Sequence, residues 1–586
     1  MQAVDRTTRM LLWVCAASIA GAVLFQFVLG AALPHLPRGT EAKYLERLNL
    51  GGMAASFWLF FWGIRHVYCM WRAGRLNAAA AFFERHSLKL LFIYALLLAA
   101  WIGVVIFTNP YRSTYNAGDA GYQSQVLSSI LEGKGPVTSM YYNTNSFLRA
   151  NPYFYVSPLV FGSNVTPYLL LTPLYAFHPA PPMHVYAIVL VTLFIGVPGL
   201  YCMVRAMGGG GGAALLTAAV FPLLIQVEFT MISFGYFDVA GFAVFPWVFA
   251  GLFSRRWWLY WLALLFLALC NLPYAYFVAG IGGVTALFFR EWKAGVIGAF
   301  IGVAVVVYDG WVNENCLAQL GLLDTVKEGM FSKVVVEGGR GAALGGLAYL
   351  LFYALVTAIN LGLLPLAGLR KDGKLDWGMA GLLAITFGAI LMNIFRPIHG
   401  LDFRRAPMIV VPLFAAAAYN FVMLLERDKG KPSAFSRCFV SFAGASVLTV
   451  SLWVSMTYPW VGLNPLAKER GISLATVLRP EPQTLEYREM LDEMGALIPR
   501  EASVALDVET RIFAFLANEP YRWFYPLVPP NVQYYVLWKG AEMLPPPDCE
   551  LVYDKHGYRV YKNPNGVIPP AGPGGWQVLY RRESPK

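Results

Sequence analysis

Asp119 lies near the start of a polar segment, residues 115–133, that follows a long apolar run. Beyond it, apolar or aromatic side chains recur at helical spacing, at Tyr122, Val126, Leu127, Ile130 and Leu131. This pattern predicts an amphipathic helix along the outer membrane surface, with Asp119 at its start. Two interpretations are open: Asp119 caps the helix, as Asp commonly does, or its carboxylate is held at the interface and faces a cavity.

Hydrogen-bonding and aromatic side chains dominate the residues that follow this helix. Tyr, Asn and Arg are suited to holding a sugar or a phosphate. They occur here at Tyr141, Tyr142, Asn143, Asn145, Arg149, Asn151, Tyr153, Tyr155, Asn164, Tyr168 and Tyr175. The apolar piece within 164–175 is short and interrupted by proline, so it predicts a re-entrant or interfacial segment. Such backbone is tolerated in a membrane only against protein or a water-filled cavity.

Charged side chains occur at two later points where apolar runs begin or end. Asp238 opens an apolar run, a position where an acid is usually functional or paired, and a capping role is the competing interpretation. The loop 396–405 carries Arg396, His399, Asp402, Arg404 and Arg405. Arginine matches phosphate bidentately, which makes this loop a candidate phosphate site. The alternatives are a solvated or lipid-headgroup-facing loop and an ordinary loop histidine.

The elements that position these residues must be membrane helices, because the chain is too apolar for a soluble protein. Of its 586 residues, 57% are hydrophobic and 13% are charged, whereas a soluble domain has about 25% charged residues. A span needs about 20 apolar residues. Thirteen candidates occur, at 10–33, 52–71, 89–108, 182–204, 212–228, 238–254, 257–271, 273–290, 294–311, 343–369, 378–395, 408–425 and 437–457. The pair around Asn271 can also be one broken helix.

The positive-inside rule orients these candidate spans. With a cytoplasmic N-terminus, the short basic loops between Arg72 and Arg437 fall on the cytoplasmic side, and the loop 396–405 is an exception. The segments 109–181 and 458–586 are then extracytoplasmic. We therefore expect two additional N-terminal transmembrane helices in 1–88, a transmembrane domain in 89–457 with its long first outer loop at 109–181, and an extracytoplasmic domain in 458–586.

The C-terminal segment has the pattern of a small α/β domain. Residues 486–497 have helical spacing, 502–506 and 532–537 have strand character, and 511–516 is a candidate helix. Two further strands, 551–553 and 558–561, flank a hairpin turn. No catalytic motif stands out in this domain, so we expect it to cover or shape the outer face of the membrane domain.

Charge and cysteine usage exclude several classes of function. A net charge of +11 in a membrane protein reflects cytoplasmic loops, so we expect no nucleic-acid partner. The seven cysteines are scattered and form no CxxC pair, which argues against a disulfide framework or a zinc site. The Gly208–Gly212 run lacks the ending of a phosphate-binding loop, and we interpret it as a flexible turn.

Several short motifs, in one order along the chain, resemble a family of bacterial membrane proteins that is grouped with the GT-C glycosyltransferases. They are Gly118-Asp119-Ala120-Gly121-Tyr122-Gln123, Pro173-Leu174-Tyr175-Ala176-Phe177, Phe234-Gly235-Tyr236-Phe237-Asp238, Ile498-Pro499-Arg500-Glu501-Ala502-Ser503-Val504 and Tyr535-Val536-Leu537. The resemblance covers roughly residues 89–565. The chain departs from the family pattern at Asn164, which stands where the family has His, and near Asp238, where a family Glu is absent.

The resemblance implies a GT-C-like polytopic helical protein in a bacterial inner membrane, and a glycosyltransferase. Its donor would be a sugar on polyprenyl phosphate and its acceptor an extracytoplasmic glycan, lipid or protein. Inverting transfer needs a base, for which Asp119 and then Asp238 are the candidates. It also needs positive charge on the leaving phosphate, for which the arginines of 396–405 are candidates, or a divalent cation such as Mg²⁺ or Mn²⁺. Tyr122, Asn164 and Tyr175 are the remaining candidate substrate contacts.

Two other classes of function remain open. A transporter or a flippase of lipid-linked or small polar substrates would favour internal repeats and ionisable residues at mid-membrane depth. We find no convincing repeat, and the acids considered lie at helix ends, which favours the enzyme. A non-catalytic scaffold, with the C-terminal domain as a docking module, is the third possibility. An acid-lined cavity on the outer face would favour the enzyme over transport.

Overall fold

The computed structural model of the protein is mainly helical, with a small sheet at its C-terminal end. It describes residues 41–108, 110, 118–133, 165–232, 236–319, 340–366, 370–371, 374–394, 405–427, 433–450, 482–506, 515–516, 522–524, 527–528, 531–539, 545–567 and 577–578. The predicted span 10–33 lies outside these residues.

Sixteen helices are distinguished within the described residues. They are α1 (Glu41–Arg72), α2 (Asn77–Thr108), α3 (Gly118–Leu131), α4 (Val165–Tyr175), α5 (Pro181–Ala206), α6 (Gly211–Val220), α7 (Ile225–Ile232), α8 (Gly241–Ser254), α9 (Trp257–Ala268), α10 (Leu272–Leu287), α11 (Trp292–Gln319), α12 (Arg340–Asn360), α13 (Trp377–Asn393), α14 (Ala406–Arg427), α15 (Ala434–Val450) and α16 (Pro482–Leu497). Short 3₁₀ turns occur at Phe221–Leu223, Phe237–Ala240 and Leu364–Leu366.

The membrane-spanning character expected from composition is present in these helices. Among the described residues, five helical segments are long and apolar enough to cross a membrane, namely Asn77–Thr108, Pro181–Ala206, Phe237–Ser254, Trp292–Trp311 and Ala406–Arg427. Six shorter apolar segments lie in α6, α9, α10, α12, α13 and α15. Twelve of the thirteen predicted spans overlap one or two helices, and the number that cross the membrane stays a prediction.

Two predicted boundaries are wrong. The predicted cytoplasmic loop 72–88 is mostly helical, because 77–88 is rich in alanine and other helix-forming residues. Only residues 73–76 form the turn, at which Gly74 has φ +74°. The predicted span 212–228 is not continuous either. A 3₁₀ turn containing Pro222 and an extended Leu224 (ψ 128°) separate α6 from α7.

The helices α9 and α10 are separate and antiparallel rather than one broken helix. Arg255, just before α9, forms an ion pair with Glu291, just after α10, at 3.3 Å. The start of α9 and the end of α10 therefore lie at the same end of the bundle. Close packing of α10 on α11 is possible because small residues meet there: a Cβ added at Gly282 would lie 2.2 Å from the Ala299 nitrogen.

The glycine run 208–212 is fixed by a distant carboxylate rather than being a flexible turn. Glu84 on α2 accepts hydrogen bonds from the amides of Gly211 (2.5 Å) and Gly212 (2.9 Å), at the start of α6. Its carboxylate also pairs with Arg205 at 3.1 Å. A side chain at Gly211 would lie 2.6 Å from Ser87 Oγ. The glycines therefore allow α2 to approach the N-terminus of α6 closely, and the carboxylate stabilises that helix end.

The helix α3 exists as predicted, but it does not lie on a surface with its polar side in water. Its described side chains from Gln123 to Ser129 are all buried, including two glutamines and three serines. Ser124 and Ser128 contact α5 and α4. The predicted exposed polar face of α3 is wrong because other helices cover it.

The C-terminal residues form the predicted α/β domain. A five-stranded sheet has the order β4 (Arg522–Phe524), β3 (Val504–Leu506), β6 (Tyr534–Trp538), β8 (Tyr558–Lys562) and β7 (Glu550–Lys555). The strand β3 is parallel to both neighbours, and β6, β8 and β7 are antiparallel. The hairpin turn has φ +52° at His556 and +81° at Gly557, as a two-residue type I′ turn requires.

The helix α16 covers one face of this sheet through Met490 and Met494. Two minor pairs of strands complete the sheet content of the described residues: β1 (Arg370–Lys371) with β2 (Lys374–Leu375), and β5 (Leu527–Val528) with β9 (Gln577–Val578). Residues 515–516 are helical, and the rest of the candidate helix 511–516 lies outside the described residues.

Candidate functional site

The structure brings together two of the predicted site residues, Asp238 and Arg405. Asp238 lies in the 3₁₀ turn Phe237–Ala240 that leads into α8, and Arg405 immediately precedes α14. Arg405 Nε lies 3.6 Å from Asp238 Oδ2. The two residues are 5% and 4% exposed, so this ion pair is inside the protein.

Among the described residues, two asparagine side chains hydrogen-bond to the charged groups of the ion pair. Asn271 Nδ2 donates to Asp238 Oδ1 at 2.5 Å, and Arg405 Nη1 donates to Asn393 Oδ1 at 3.2 Å. Asn393 Nδ2 donates to the Ala389 carbonyl one turn earlier in α13, which fixes its amide. Each charged group is therefore held by an opposite charge and by an amide, as burial in an apolar bundle requires.

Three helix N-termini meet at this ion pair. Asp238 precedes α8, Asn271 is the N-cap of α10, and Arg405 precedes α14. The Tyr274 hydroxyl, in the first turn of α10, donates to the Asp238 carbonyl at 2.8 Å. Helix N-termini carry partial positive charge, and the guanidinium adds a full one. The arrangement is electropositive apart from Asp238 and favours an anion.

The polar face of α3 is joined to this ion pair through Phe237. Ser124 Oγ lies 3.3 Å from His184 Nδ1, and the His184 ring lies 5.3 Å from the Phe237 ring. Phe237 directly precedes Asp238. Ser128 Oγ lies 3.2 Å from the hydroxyl of Tyr175 on α4. The buried side of α3 and the Asp238–Arg405 pair are therefore parts of one continuous packed region.

The short helix α4 is attached to the same end of the bundle. The backbone amide of Thr166 donates to the Leu269 carbonyl at 3.1 Å, and the Thr166 hydroxyl donates to the Phe266 carbonyl at 2.6 Å. The Tyr168 ring lies 5.2 Å from that of Phe237. These contacts place α4 beside Asn271 and agree with a short segment that packs on protein.

The other predicted site residues are placed only in part. Asp119 and Tyr122 are part of the helix α3, but the structure does not describe their side chains. Tyr175 is fully buried, so its predicted contact with substrate stays a prediction. Five more predicted site residues lie outside the described residues: Asn164, Arg396, His399, Asp402 and Arg404.

Sequence reasoning missed several neighbours of the ion pair. Asn393 is a single amide at the end of an apolar helix, and His184 is the one histidine of a largely apolar run. A lone amide or histidine is unusual in a membrane span, and this is the signal by which the sequence could have identified both residues. Tyr274 gave no signal, because tyrosine is common in these apolar runs.

The described residues do not form a divalent-cation site. No group of three or more His, Cys, Asp or Glu side chains is close enough among them to hold a metal. The Asp238 carboxylate contacts a guanidinium and an amide donor, which is the surrounding of a paired anion rather than a metal ligand. We therefore derive no step through a metal ion.

Comparison with known proteins gives one family. Residues 111–567 match the family described as "Predicted membrane protein (DUF2079)", so the match begins after α1 and α2. No curated protein matches the chain.

Two solved structures are similar in outline. One is a crystal structure of ArnT from Cupriavidus metallidurans bound to undecaprenyl phosphate, at 12% identity and a TM-score of 0.48, covering 82% of this chain and 99% of that one. The other is a cryo-EM structure of the arabinofuranosyltransferase AftD from Mycobacteria, at 14% identity and a TM-score of 0.44, covering 82% of this chain and 40% of that one.

Proposed function

The chain belongs to the DUF2079 family of predicted membrane proteins, and we propose that it is a glycosyltransferase of the GT-C type. It transfers a sugar from a polyprenyl-phosphate donor to a hydroxyl of an extracytoplasmic glycan, lipid or protein. The observation that carries the proposal is the buried Arg405, which lies where three helix N-termini meet. The proposal also rests on the motifs that the family shares with this chain.

The proposed reaction needs a place for a phosphate inside an apolar bundle. When the bond between the sugar C1 and the phosphate breaks, the leaving polyprenyl phosphate gains negative charge. A guanidinium and oriented helix dipoles in a low-dielectric site stabilise that charge more strongly than water does. We assign this role to Arg405, held in place by Asp238 and Asn393. Arg396 and Arg404, in the adjacent loop, are further candidates for the same phosphate.

The base in this proposal is Asp119. It removes the proton of the acceptor hydroxyl while that oxygen forms the new bond to C1, so the configuration at C1 inverts. Asp238 is less suited to this role than the sequence suggested, because Arg405 and Asn271 already contact its carboxylate. We propose that Asp238 positions Arg405 and that Asp119, at the start of the buried helix α3, takes the proton.

The site is proposed to lie at the extracytoplasmic end of the bundle. The helices α8, α10 and α14 begin near the Asp238–Arg405 pair and run to basic residues, namely Arg255, Arg290 and Arg427. The positive-inside rule places those residues in the cytoplasm. The donor then reaches the site from the outer leaflet of a bacterial inner membrane, and the C-terminal domain lies on the same, periplasmic side.

The experiment that tests the proposal compares surface glycans of cells with and without the protein by mass spectrometry. We expect a glycan or lipid species that lacks one sugar when the protein is absent. It should be restored by the wild-type chain and not by Arg405→Gln at equal membrane abundance. Identical glycans in the two strains, in both the polymer and lipid fractions, would contradict the proposal.

One observation favours the alternative of a transporter or flippase. Glu228 and Gln226 are fully buried on α7, which follows a break in an apolar helix. Within the part of the chain that the structure describes, neither polar atom of the Gln226 amide has a hydrogen-bond partner. Broken helices with buried polar groups line substrate sites in transporters. Reconstituted vesicles separate the two functions: a transporter moves lipid-linked sugar across the bilayer without an acceptor, whereas a transferase needs the acceptor.

A further inference from the structure

The C-terminal domain contains a cleft between α16 and the sheet. Its volume is about 320 Å³, at the lower end of the range of ligand pockets. Most of the lining is aliphatic or aromatic, and it includes Leu491, Met494, Ile498, Leu506, Phe515 and Val536. A cleft of this composition favours a hydrocarbon chain over a polar ligand, since burying apolar surface is the main source of affinity there.

Among the described residues that line this cleft, one side chain is charged. Arg500, which follows α16, lines it and is more than half exposed, at 57%. Its guanidinium is already paired with the carboxylate of Glu132, a residue just after α3. In this pair Arg500 Nη2 donates to Glu132 Oε1 at 2.6 Å. The geometry at Arg500 therefore suits a carboxylate, and one is bound there from within the chain.

We propose that this cleft binds a single-chain amphiphile with a carboxylate headgroup. The hydrocarbon chain lies against Met494, Ile498 and Val536, and the carboxylate pairs with Arg500 at the mouth of the cleft. The apolar lining selects the chain, and the one arginine selects the anionic head. This inference does not depend on the proposed sugar transfer, because it concerns binding to the C-terminal domain alone.

Binding in the cleft and the contact between the two domains share one arginine. A ligand carboxylate competes with Glu132 for Arg500, and Glu132 is joined to the helix that carries Asp119. Removing the Glu132 charge should raise the affinity for the ligand by up to about fivefold, the most that an exposed ion pair contributes. The cleft thus provides a means by which an amphiphile changes the contact between α3 and the C-terminal domain.

Gly495 provides a way to obstruct the cleft. It lines the cleft on α16, it is exposed, and a Cβ added there meets no atom within 4 Å. Gly495→Leu should therefore add apolar bulk at the opening of the cleft, and loss of a helical glycine should not lower stability. Gly495→Ala is the matched control, because it removes the same glycine and adds only one methyl group.

The test uses the full chain in nanodiscs of phosphatidylcholine, labelled with a straight-chain fatty acid that carries a photoreactive diazirine. The neutral alcohol of equal length is the second probe. Peptide mass spectrometry should find saturable labelling of α16 by the acid, and up to about fivefold less by the alcohol. The signal should fall by up to about fivefold in Arg500→Gln, fall more strongly in Gly495→Leu, persist in Gly495→Ala, and rise in Glu132→Gln.

Two results would overturn the inference. Equal labelling by the acid and the alcohol would show a cleft without selectivity for the headgroup. Labelling of α16 that survives Gly495→Leu in a protein of unchanged melting temperature would show that the probe binds elsewhere. The measurement needs no sugar transfer, so a failed transfer assay leaves this result unaffected, and failed labelling leaves the proposed transferase untouched.

Discussion

Arg405 Nε lies 3.6 Å from the Asp238 carboxylate, and both side chains are almost completely buried. The two residues come from helices far apart in the sequence, so the ion pair joins α8 to α14 at one end of the bundle. Breaking such a pair leaves a charge in an apolar region, which costs more than removing both charges together. The pair therefore has consequences for stability that can be measured without knowledge of the substrate.

Single removal of either charge should be much more destabilising than the double change. We expect Arg405→Met and Asp238→Asn each to lower the free energy of unfolding by about 3–5 kcal/mol, because each leaves one buried charge unpaired. The double variant should lower the free energy of unfolding by less than either single variant does. Unfolding of the purified protein in detergent, analysed as a double-mutant cycle, gives this coupling. Additive losses would contradict a direct interaction.

Asp119→Asn should separate a base from a helix cap. Asn caps about as well as Asp, so a cap alone predicts a loss of at most about 1 kcal/mol and unchanged sugar transfer. If Asp119 is the base, transfer should fall roughly 10²-fold or more while the protein still inserts. The measurement is the quantity of completed surface glycan in cells that carry each variant.

A matched control for Asp119 exists at the other end of the bundle. Asp376 is the N-cap of α13 and accepts a hydrogen bond from the Met379 amide at 3.1 Å. Asp376→Asn makes the same chemical change at a known cap, so transfer should persist. Near-normal glycan from well-expressed Asp119→Asn would refute the assignment, and Asp402 and Asp238 would be the next candidates.

Adjacent glycines at the start of α6 should respond in opposite ways to alanine. A Cβ at Gly211 would lie 2.6 Å from Ser87 Oγ and 2.9 Å from the Glu84 carbonyl oxygen. The atom nearest to a Cβ at Gly212 would be 3.8 Å away. We expect Gly211→Ala to cost about 1–3 kcal/mol through forced displacement of α2. Gly212→Ala should be neutral or stabilise by up to about 1 kcal/mol. Melting temperatures of the two variants in one detergent decide this, and equal values would argue against the close approach.

Periodicity and composition were sufficient for most of the apolar helices and for four of the five strands of the main sheet, but not for β4. Apolar runs predicted the membrane helices, and alternation with a turn signal predicted the hairpin around His556. The breaks were harder, because Pro222 ends α6 through a backbone conformation that a hydropathy pattern does not record. The burial of α3 was not predicted, because serines and glutamines read as solvent-facing until other helices are known to cover them.

The candidate site was predictable only as separate residues. Sequence reasoning selected the two residues independently. Asp238 was chosen as an acid at the start of an apolar run, and Arg405 as an arginine of a candidate phosphate-binding loop. It gave no reason to pair them, because a long-range contact depends on how the helices pack. Asn393 and Asn271 were not assigned to the site for the same reason. Their roles follow from hydrogen bonds to the pair, and no local motif encodes these bonds.

The predicted orientation can be tested with reporter fusions. A fusion after residue 374 should report the cytoplasm, and one after residue 460 should report the periplasm, because the positive-inside rule places the basic residues that follow α8, α10 and α14 in the cytoplasm. An enzyme that is active only in the periplasm and a fluorescent protein that folds only in the cytoplasm serve as paired reporters. The same side for both fusions would refute this topology.

The C-terminal domain should lose stability on acidification, through ion pairs that join the β7–β8 hairpin to α16 and to the end of β6. A hydrogen bond from Lys555 at 2.7 Å lowers the pKa of Glu493 below its usual 4.5. Contact with Lys539 at 2.6 Å lowers the pKa of Asp554 below 3.8. A carboxyl whose folded pKa is lowered stabilises the fold above its unfolded pKa, and this contribution is lost as the pH falls through the folded pKa. We therefore expect the melting temperature of this domain to be flat near neutral pH and to fall below about pH 4.5.

Glu493→Gln should be less stable than wild type at neutral pH, and the difference should shrink as the pH falls. A constant difference between the two proteins from neutral pH down to about pH 3 would show that the Glu493 charge has no part in holding the hairpin on α16.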